Sequence, residues 1–180
     1  MMCEPADHLL VQRSVAGDRA AFAELVGRHY DLIYRVAFKW CGNQADAEDI
    51  AQTVCMKLGQ AIRSFDARSA FSSWLYRVTL NAVRDHHRAD KSRRNRDDAA
   101  ADLAETSVDP EPAGANDALD EIWAAVAELP EKQRDAVLLI YSEGKNHAEA
   151  ASILNCAEST VSWHVHEAKK RLKGALGVPS

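Results

Sequence analysis

Residues 97–121 carry nine acidic side chains and not one lysine or arginine. Within this stretch, residues 97–116 add Pro110, Pro112 and Gly114, contain no aromatic residue and hold few large aliphatics. Such a sequence buries too little apolar surface to offset the entropy lost on ordering it. Its like charges also keep it extended. It reads as a flexible acidic linker. Of the one medium or two small domains that a chain of 180 residues allows, it selects two. The expected organisation is therefore a first domain over residues 1–96, a linker over 97–116 and a second domain over 117–180.

The charge on either side of the linker is uneven. The first 96 residues hold fifteen basic and eleven acidic side chains, whereas residues 122–180 hold seven of each. The overall net charge of -5 by itself argues against a general nucleic-acid binder. It conceals a first block that ends in the basic run Arg84, Arg88, Lys91, Arg93, Arg94 and Arg96. With 47% hydrophobic and 27% charged residues, both blocks have globular rather than disordered composition.

Both blocks show helical periodicity and neither shows strand alternation or a hairpin dipeptide. Phe22, Leu25, Val26, Leu32, Ile33, Val36 and Trp40 form one stripe at three- and four-residue steps, with Asp18 placed to cap its start and Gly42 its end. Ala47, Ile50, Ala51, Val54 and Leu58 define a second helix. Phe71, Trp74, Leu75, Val78 and Ala82 define a third, starting near Ser69. Beyond the linker, Leu119, Ile122, Trp123, Val126 and Leu129 form a stripe, and Pro130 opens the next helix at its first position. That helix has Val137 to Tyr141 as its apolar centre and ends at Gly144. Asn146 and Glu149 form a capping box for a short helix, and a last helix with Val161, Val165, Ala168 and Leu172 on its buried side runs to about Leu176. A short helix, a tight turn at Asn155-Cys156 and a longer helix fit a helix-turn-helix and an ordinary helical hairpin equally well. The expected fold class is all-α: two small helical domains joined by a flexible acidic linker, the second holding the helix-turn-helix.

Several function classes drop out. There is no glycine-rich phosphate loop, no nucleophile elbow and no CxxC pair among Cys3, Cys41, Cys55 and Cys156. The seven histidines show no metal-ligating spacing; His86-His87 and His164/His166 each point to different faces of a helix. No enzyme, metal or cofactor is expected. The free thiols, the lack of a signal-like start and the lack of a membrane-length apolar run lead to the expectation of a cytoplasmic protein without direct membrane insertion. The Asp46-Ala47-Glu48-Asp49 cluster admits three readings: an acid/base pair, a helix start whose carboxylates favour the dipole, or an acidic docking face. The basic run beside Phe71, Trp74 and Tyr76 reads either as a solvated face or as a grip on single-stranded nucleic acid, with cations on phosphates and rings on bases.

Three segments together resemble one family. They are Ala21-Phe22-Ala23-Glu24-Leu25 through Asp46-Ala47-Glu48-Asp49-Ile50-Ala51-Gln52; Phe71-Ser72-Ser73-Trp74-Leu75-Tyr76-Arg77-Val78 with Asn81; and Leu129-Pro130-Glu131-Lys132-Gln133-Arg134 followed by the turn and Ser159-Thr160-Val161. The combination is similar to the extracytoplasmic-function sigma factors, two-domain bacterial initiation factors. The resemblance implies that Asp46, Glu48, Asp49 and Gln52 dock on a coiled coil of the largest subunit of core RNA polymerase. It implies that Ser64, Phe65, Ser69 and Ala70 line a loop that captures a flipped base of the minus-ten element. Phe71, Trp74, Arg77, Asn81, Arg84 and Arg88 would continue that single-strand site. Glu158, Ser159, Thr160, Ser162, Trp163, His166, Lys169 and Lys170 would face the minus-thirty-five element in the major groove. Trp163 could meet a thymine methyl or sugar, or simply pack. Many members carry Lys or Arg about where Ser162, His164 and Glu167 stand; this chain departs from that pattern, so the resemblance does not carry over which minus-thirty-five sequence is read. The partners implied are core RNA polymerase, promoter DNA and an anti-sigma factor. The competing reading is a sigma-like decoy that sequesters an anti-sigma factor without binding promoters; retention of Trp74, Asn81 and the basic run speaks against it.

Overall fold

A computed structural model of the protein describes the backbone of residues 5–100 and 117–177, and the side chains of residues 7–93 and 121–177. The chain divides into two compact units, residues 1–108 and 109–180. Among the described residues every regular element is helical.

The first unit contains α1 (Pro5–Val15), α2 (Arg19–Cys41), α3 (Gln44–Ala61), a single 3-10 turn (Ile62–Ser64) and α4 (Phe71–Ala100). The boundaries of α2 follow from its caps. Asp18 accepts hydrogen bonds from the N–H groups of Ala20 and Ala21 at 3.0 and 3.1 Å. Gly42, at φ 78°, ends the helix in the left-handed conformation that a side chain resists. Leu25, Ile33 and Val36 of α2, Ile50, Val54 and Leu58 of α3, and Phe71, Leu75 and Leu80 of α4 are all at most 2% exposed and form the core. Helix α2 packs on α1, α3 and α4, and α3 also packs on α4. Helix α1 falls outside the sequence expectation: a consecutive Leu9-Leu10-Val11 shows little periodicity, and only Leu10 and Val11 are buried. Its Asp7 is buried too, 2.9 Å from Nε2 of His29 and 3.6 Å from Arg28, so a buried polar contact joins Leu10 and Val11 in seating it.

The second unit contains α5 (Asp117–Ala127), α6 (Glu131–Val137), a π turn (Leu138–Ser142), α7 (His147–Leu154) and α8 (Glu158–Ala175). Three expectations shift here. Pro130 occupies the N-cap, extended at φ -51° and ψ 139°, rather than the first helical position, and its carbonyl accepts from the N–H groups of Gln133 and Arg134. The apolar centre of this segment widens into the π turn before Gly144. Ile122 and Trp123 are 42% and 45% exposed, so among the described residues of the stripe Val126 and the following Leu129 are the ones that reach the core. The acidic linker, like the side chains of Arg94, Arg96 and Leu119, lies almost wholly outside the described residues. Its first four positions, 97–100, continue α4.

Candidate polymerase-docking and nucleic-acid interfaces

The start of α3 presents the acidic cluster. Asn43 caps the helix by accepting from the Asp46 N–H at 2.8 Å and donates its Nδ2 to Oδ2 of Asp46 at 2.7 Å. Ala47, Ile50 and Ala51 point into the core, which turns Glu48, Asp49 and Gln52 outward into solvent. Asp46 is half-buried, and its carboxyl is held below the usual range, first by the Asn43 hydrogen bond and further by the neighbouring His86. This is a rigid, outward-facing row of hydrogen-bond acceptors, a surface suited to a basic partner. Met56, one turn beyond Gln52 on the same face, is 76% exposed and adds an apolar contact that the motif did not signal.

The expected minus-ten residues divide into two groups. Phe71 and Trp74 are 1% and 4% exposed, and Tyr76 is 2% exposed. Rings that the basic-aromatic pattern offered as stacking surfaces for bases are therefore inside the helical core, because the same period that places them near the basic run places them on the apolar face. They brace the loop instead: half-buried Phe65 packs edge-on against Phe71 at 5.5 Å and tilted against Trp74 at 5.6 Å. Around this anchor, Ser64 is exposed, and Ser69 and Ala70 are partly so. Ala67 sits at φ 58°, and the Arg68 N–H bonds to Oδ1 of Asp66 at 3.2 Å, so the loop is sharply folded. The second group, Arg77, Asn81, Arg84 and Arg88, recurs at four-, three- and four-residue steps and lines one side of α4. Arg77 and Arg84 are half-buried and Asn81 and Arg88 exposed; Nη1 of Arg84 donates to Oδ1 of Asn81 at 3.2 Å. The result is a polar and cationic stripe leading away from the loop.

In the second unit, the capping box is complete: Asn146 accepts from the Glu149 N–H at 2.9 Å and Glu149 accepts from the Asn146 N–H at 3.0 Å. Asn155, at φ 53°, makes the turn, and α7, with Ala150, Ala151 and Ile153 buried, packs on α8, where Val161 and Val165 are buried and Ala168 clusters with Leu129 and Val137. Glu158, Ser159, Ser162, Trp163, His166, Lys169 and Lys170 are exposed on α8, while Thr160 is half-buried. Trp163 is 56% exposed with its ring edge-on to His164 at 4.9 Å, so it is presented outward rather than packed. The Nζ of Lys169 stands 5.0 Å over the ring of Tyr141, a residue of the π turn that sequence reasoning did not single out. His164 is half-buried, and burial above all, with the charge of Lys132, lowers its pKa below the usual histidine value.

One further group comes together. Nε2 of His86 on α4 lies 3.0 Å from Oδ1 of Asp46 on α3 and 3.5 Å from Oδ2 of Asp90. Spacing between histidines along one helix gives no sign of this juxtaposition, because Asp46 comes from another helix.

Comparison with known proteins places this architecture. Residues 25–94 match the family model of Sigma-70 region 2, and residues 119–172 match that of Sigma-70, region 4. These two helical modules in this order define a sigma factor of RNA polymerase. Among curated relatives, the chain is 32% identical to ECF RNA polymerase sigma factor SigW of Bacillus subtilis, over 89% of this chain and 91% of that one. It is 31% identical to sigma factor SigM of Mycobacterium tuberculosis, over 97% and 86%. The chain belongs to the extracytoplasmic-function group of RNA polymerase sigma factors. Among solved structures, the sigma factor RpoE of Bartonella quintana, in complex with the anti-sigma factor NepR, superposes at a TM-score of 0.64 and 26% identity, covering 88% of this chain and 98% of that one. CnrH in complex with the cytosolic domain of CnrY shares the fold at a TM-score of 0.67 and 23% identity, covering 97% and 99%.

Proposed function

We propose that this chain is a dissociable initiation subunit: it joins core RNA polymerase and directs it to promoters by reading two DNA elements, and has no catalytic activity of its own. Residues 1–96 would dock and read the minus-ten element, residues 117–180 the minus-thirty-five element, with the acidic stretch between them as tether. In the docking role, Asp46, Glu48, Asp49 and Gln52 offer acceptors, with Met56 as an apolar neighbour. The loop carrying Ser64, Phe65, Ser69 and Ala70 would receive an unstacked base, with Phe71 and Trp74 bracing it from within rather than touching DNA. Arg77, Asn81, Arg84 and Arg88 would hold the flanking backbone, where each neutralised phosphate adds affinity that falls with salt. Ser159, Ser162, Trp163 and His166 would face base edges, and Lys169 and Lys170 phosphates. Control by an anti-sigma factor fits a chain whose docking face is open; the RpoE structure pairs a sigma factor with one. No helix among the described residues is long and apolar enough to cross a membrane, in keeping with action in the cytoplasm.

The observation that carries this reading is the outward acidic row of α3 joined on one unit to the cationic stripe of α4, with a separate exposed recognition helix on the other unit. Run-off transcription tests it. Core polymerase plus the purified chain should give a discrete transcript from a template holding the chain's own upstream region. Asp49→Lys should reduce holoenzyme assembly about tenfold or more, the loss of a close charge contact, with helicity unchanged. Unchanged assembly would remove Asp49 from the docking face. Failure of the unaltered chain to bind core at all would favour an anti-sigma decoy.

A further inference from the structure

We infer that Asp46, His86 and Asp90 form a binding site for a divalent first-row transition-metal ion, clamping α3 to α4. The inference rests on the geometry of these three side chains and not on the docking role of Asp46. Their ligand atoms all lie within 4.8 Å of one another. A tetrahedral ion with bonds of about 2.0–2.1 Å holds its ligands about 3.3 Å apart. The separations of 3.0 Å from His86 to Asp46 and 3.5 Å from His86 to Asp90 bracket that value. His86 and Asp90 stand four residues apart on one helical face, the spacing at which two side chains converge on one ion, and Asp46 closes the group from a different helix.

Two further features favour an ion over a simple histidine-carboxylate bridge. Nε2 of His86 is shielded from solvent yet makes no aligned hydrogen bond to either carboxylate beside it. A neutral imidazole nitrogen in this place carries a lone pair that a cation between the two carboxylates would take up. Each carboxylate also offers one oxygen to the group while its other oxygen is held: Oδ2 of Asp46 by Asn43 at 2.7 Å, Oδ1 of Asp90 by Arg93 at 2.6 Å. This is the outer-shell arrangement that orients metal-binding carboxylates. The side chains of Asp46, His86 and Asp90 are 33%, 17% and 29% exposed, so the group lies at the protein surface rather than deep in the core. One imidazole and two carboxylates suit Zn2+, Co2+ or Mn2+ rather than a thiolate-seeking ion.

Calorimetric titration of the chelator-stripped full chain with Zn2+ tests this. The expected result is one bound equivalent that disappears in His86→Ala and in the near-isosteric Asp90→Asn. Zn2+ should raise the thermal midpoint of the unaltered chain and of neither variant. Co2+ should give ligand-field absorption without thiolate charge transfer, which separates this site from the four cysteines of the chain. Absence of Zn2+ binding to the unaltered chain overturns the proposal and leaves an ordinary ion pair. So does the same stoichiometry in both variants, or a cobalt spectrum dominated by thiolate that persists in His86→Ala.

Discussion

Single residues at the two surfaces proposed to face DNA hold unusual conformations or exposures, and each has a measurable consequence. Ala67 is a non-glycine residue at φ 58°, in the loop that Phe65 anchors. A Cβ in the left-handed region costs about 1–2 kcal/mol, so Ala67→Gly should stabilise the first unit by about 1 kcal/mol after glycine's larger unfolded entropy is set against it. Urea unfolding read by circular dichroism would show a higher midpoint at unchanged slope; a lower midpoint would mean that the loop conformation costs nothing. Trp163 is a large apolar ring left 56% exposed on α8, where neighbouring positions are small or polar. Trp163→Ala should leave stability within about 0.5 kcal/mol, as for an exposed substitution, while changing discrimination among minus-thirty-five variants by about 1–3 kcal/mol per altered base pair. Binding assays across single-base variants of the element would register it, and an unaltered ranking would make the residue mere surface.

At the level of elements, α8 carries a half-buried titratable group, His164. His164 faces Lys132 and Asp135 near its ring, and burial is the main reason its pKa falls below 6.5. A depressed pKa means that the unfolded chain takes up this proton more readily than the folded one. The stabilising contribution is therefore present above about pH 6.5 and is lost as pH falls toward the lower folded value. NMR titration of His164 should give a midpoint below 6.5, and His164→Gln should flatten the loss of stability of the second unit as pH falls below about 6.5. A midpoint at or above 6.5 would mean the ring is solvated. Most elements were legible in advance because their signals are local. The caps Asp18 and Asn146 and the terminator Gly42 need only their own few neighbours, and all three act as expected. Helix α1 was not legible, since its seat depends on the buried pair of Asp7 with His29, 22 residues away. The π turn at Leu138–Ser142 was not legible either, because one extra residue in a helical turn leaves no mark on apolar spacing over so short a run.

For the whole molecule, the proposed function would make promoter binding by the two units a tethered, two-point event. Linking two weak sites raises the apparent affinity about 10²–10⁴-fold through effective concentration alone. Supplying residues 1–100 and 117–180 as separate chains to core polymerase should therefore weaken promoter complexes by about that factor, with each piece still helical. Filter binding against promoter DNA would read it, and equal affinity for split and intact chains would mean that one unit does all the reading. The sequence alone determined the all-helical class, the two-module plan, and the outward placement of Glu48, Asp49, Gln52, Ser159 and His166, because helical period and charge patterning act over a few residues. Only the tertiary structure decided what covers each apolar face. Phe71 and Trp74 turned out to be core rather than contact surface, and Trp123 the reverse. Packing of α3 against α4 brought Asp46 to His86 and Asp90, 40 and 44 residues further along the chain. Periodicity states which side of a helix is apolar; it carries no information about which helix will lie against it.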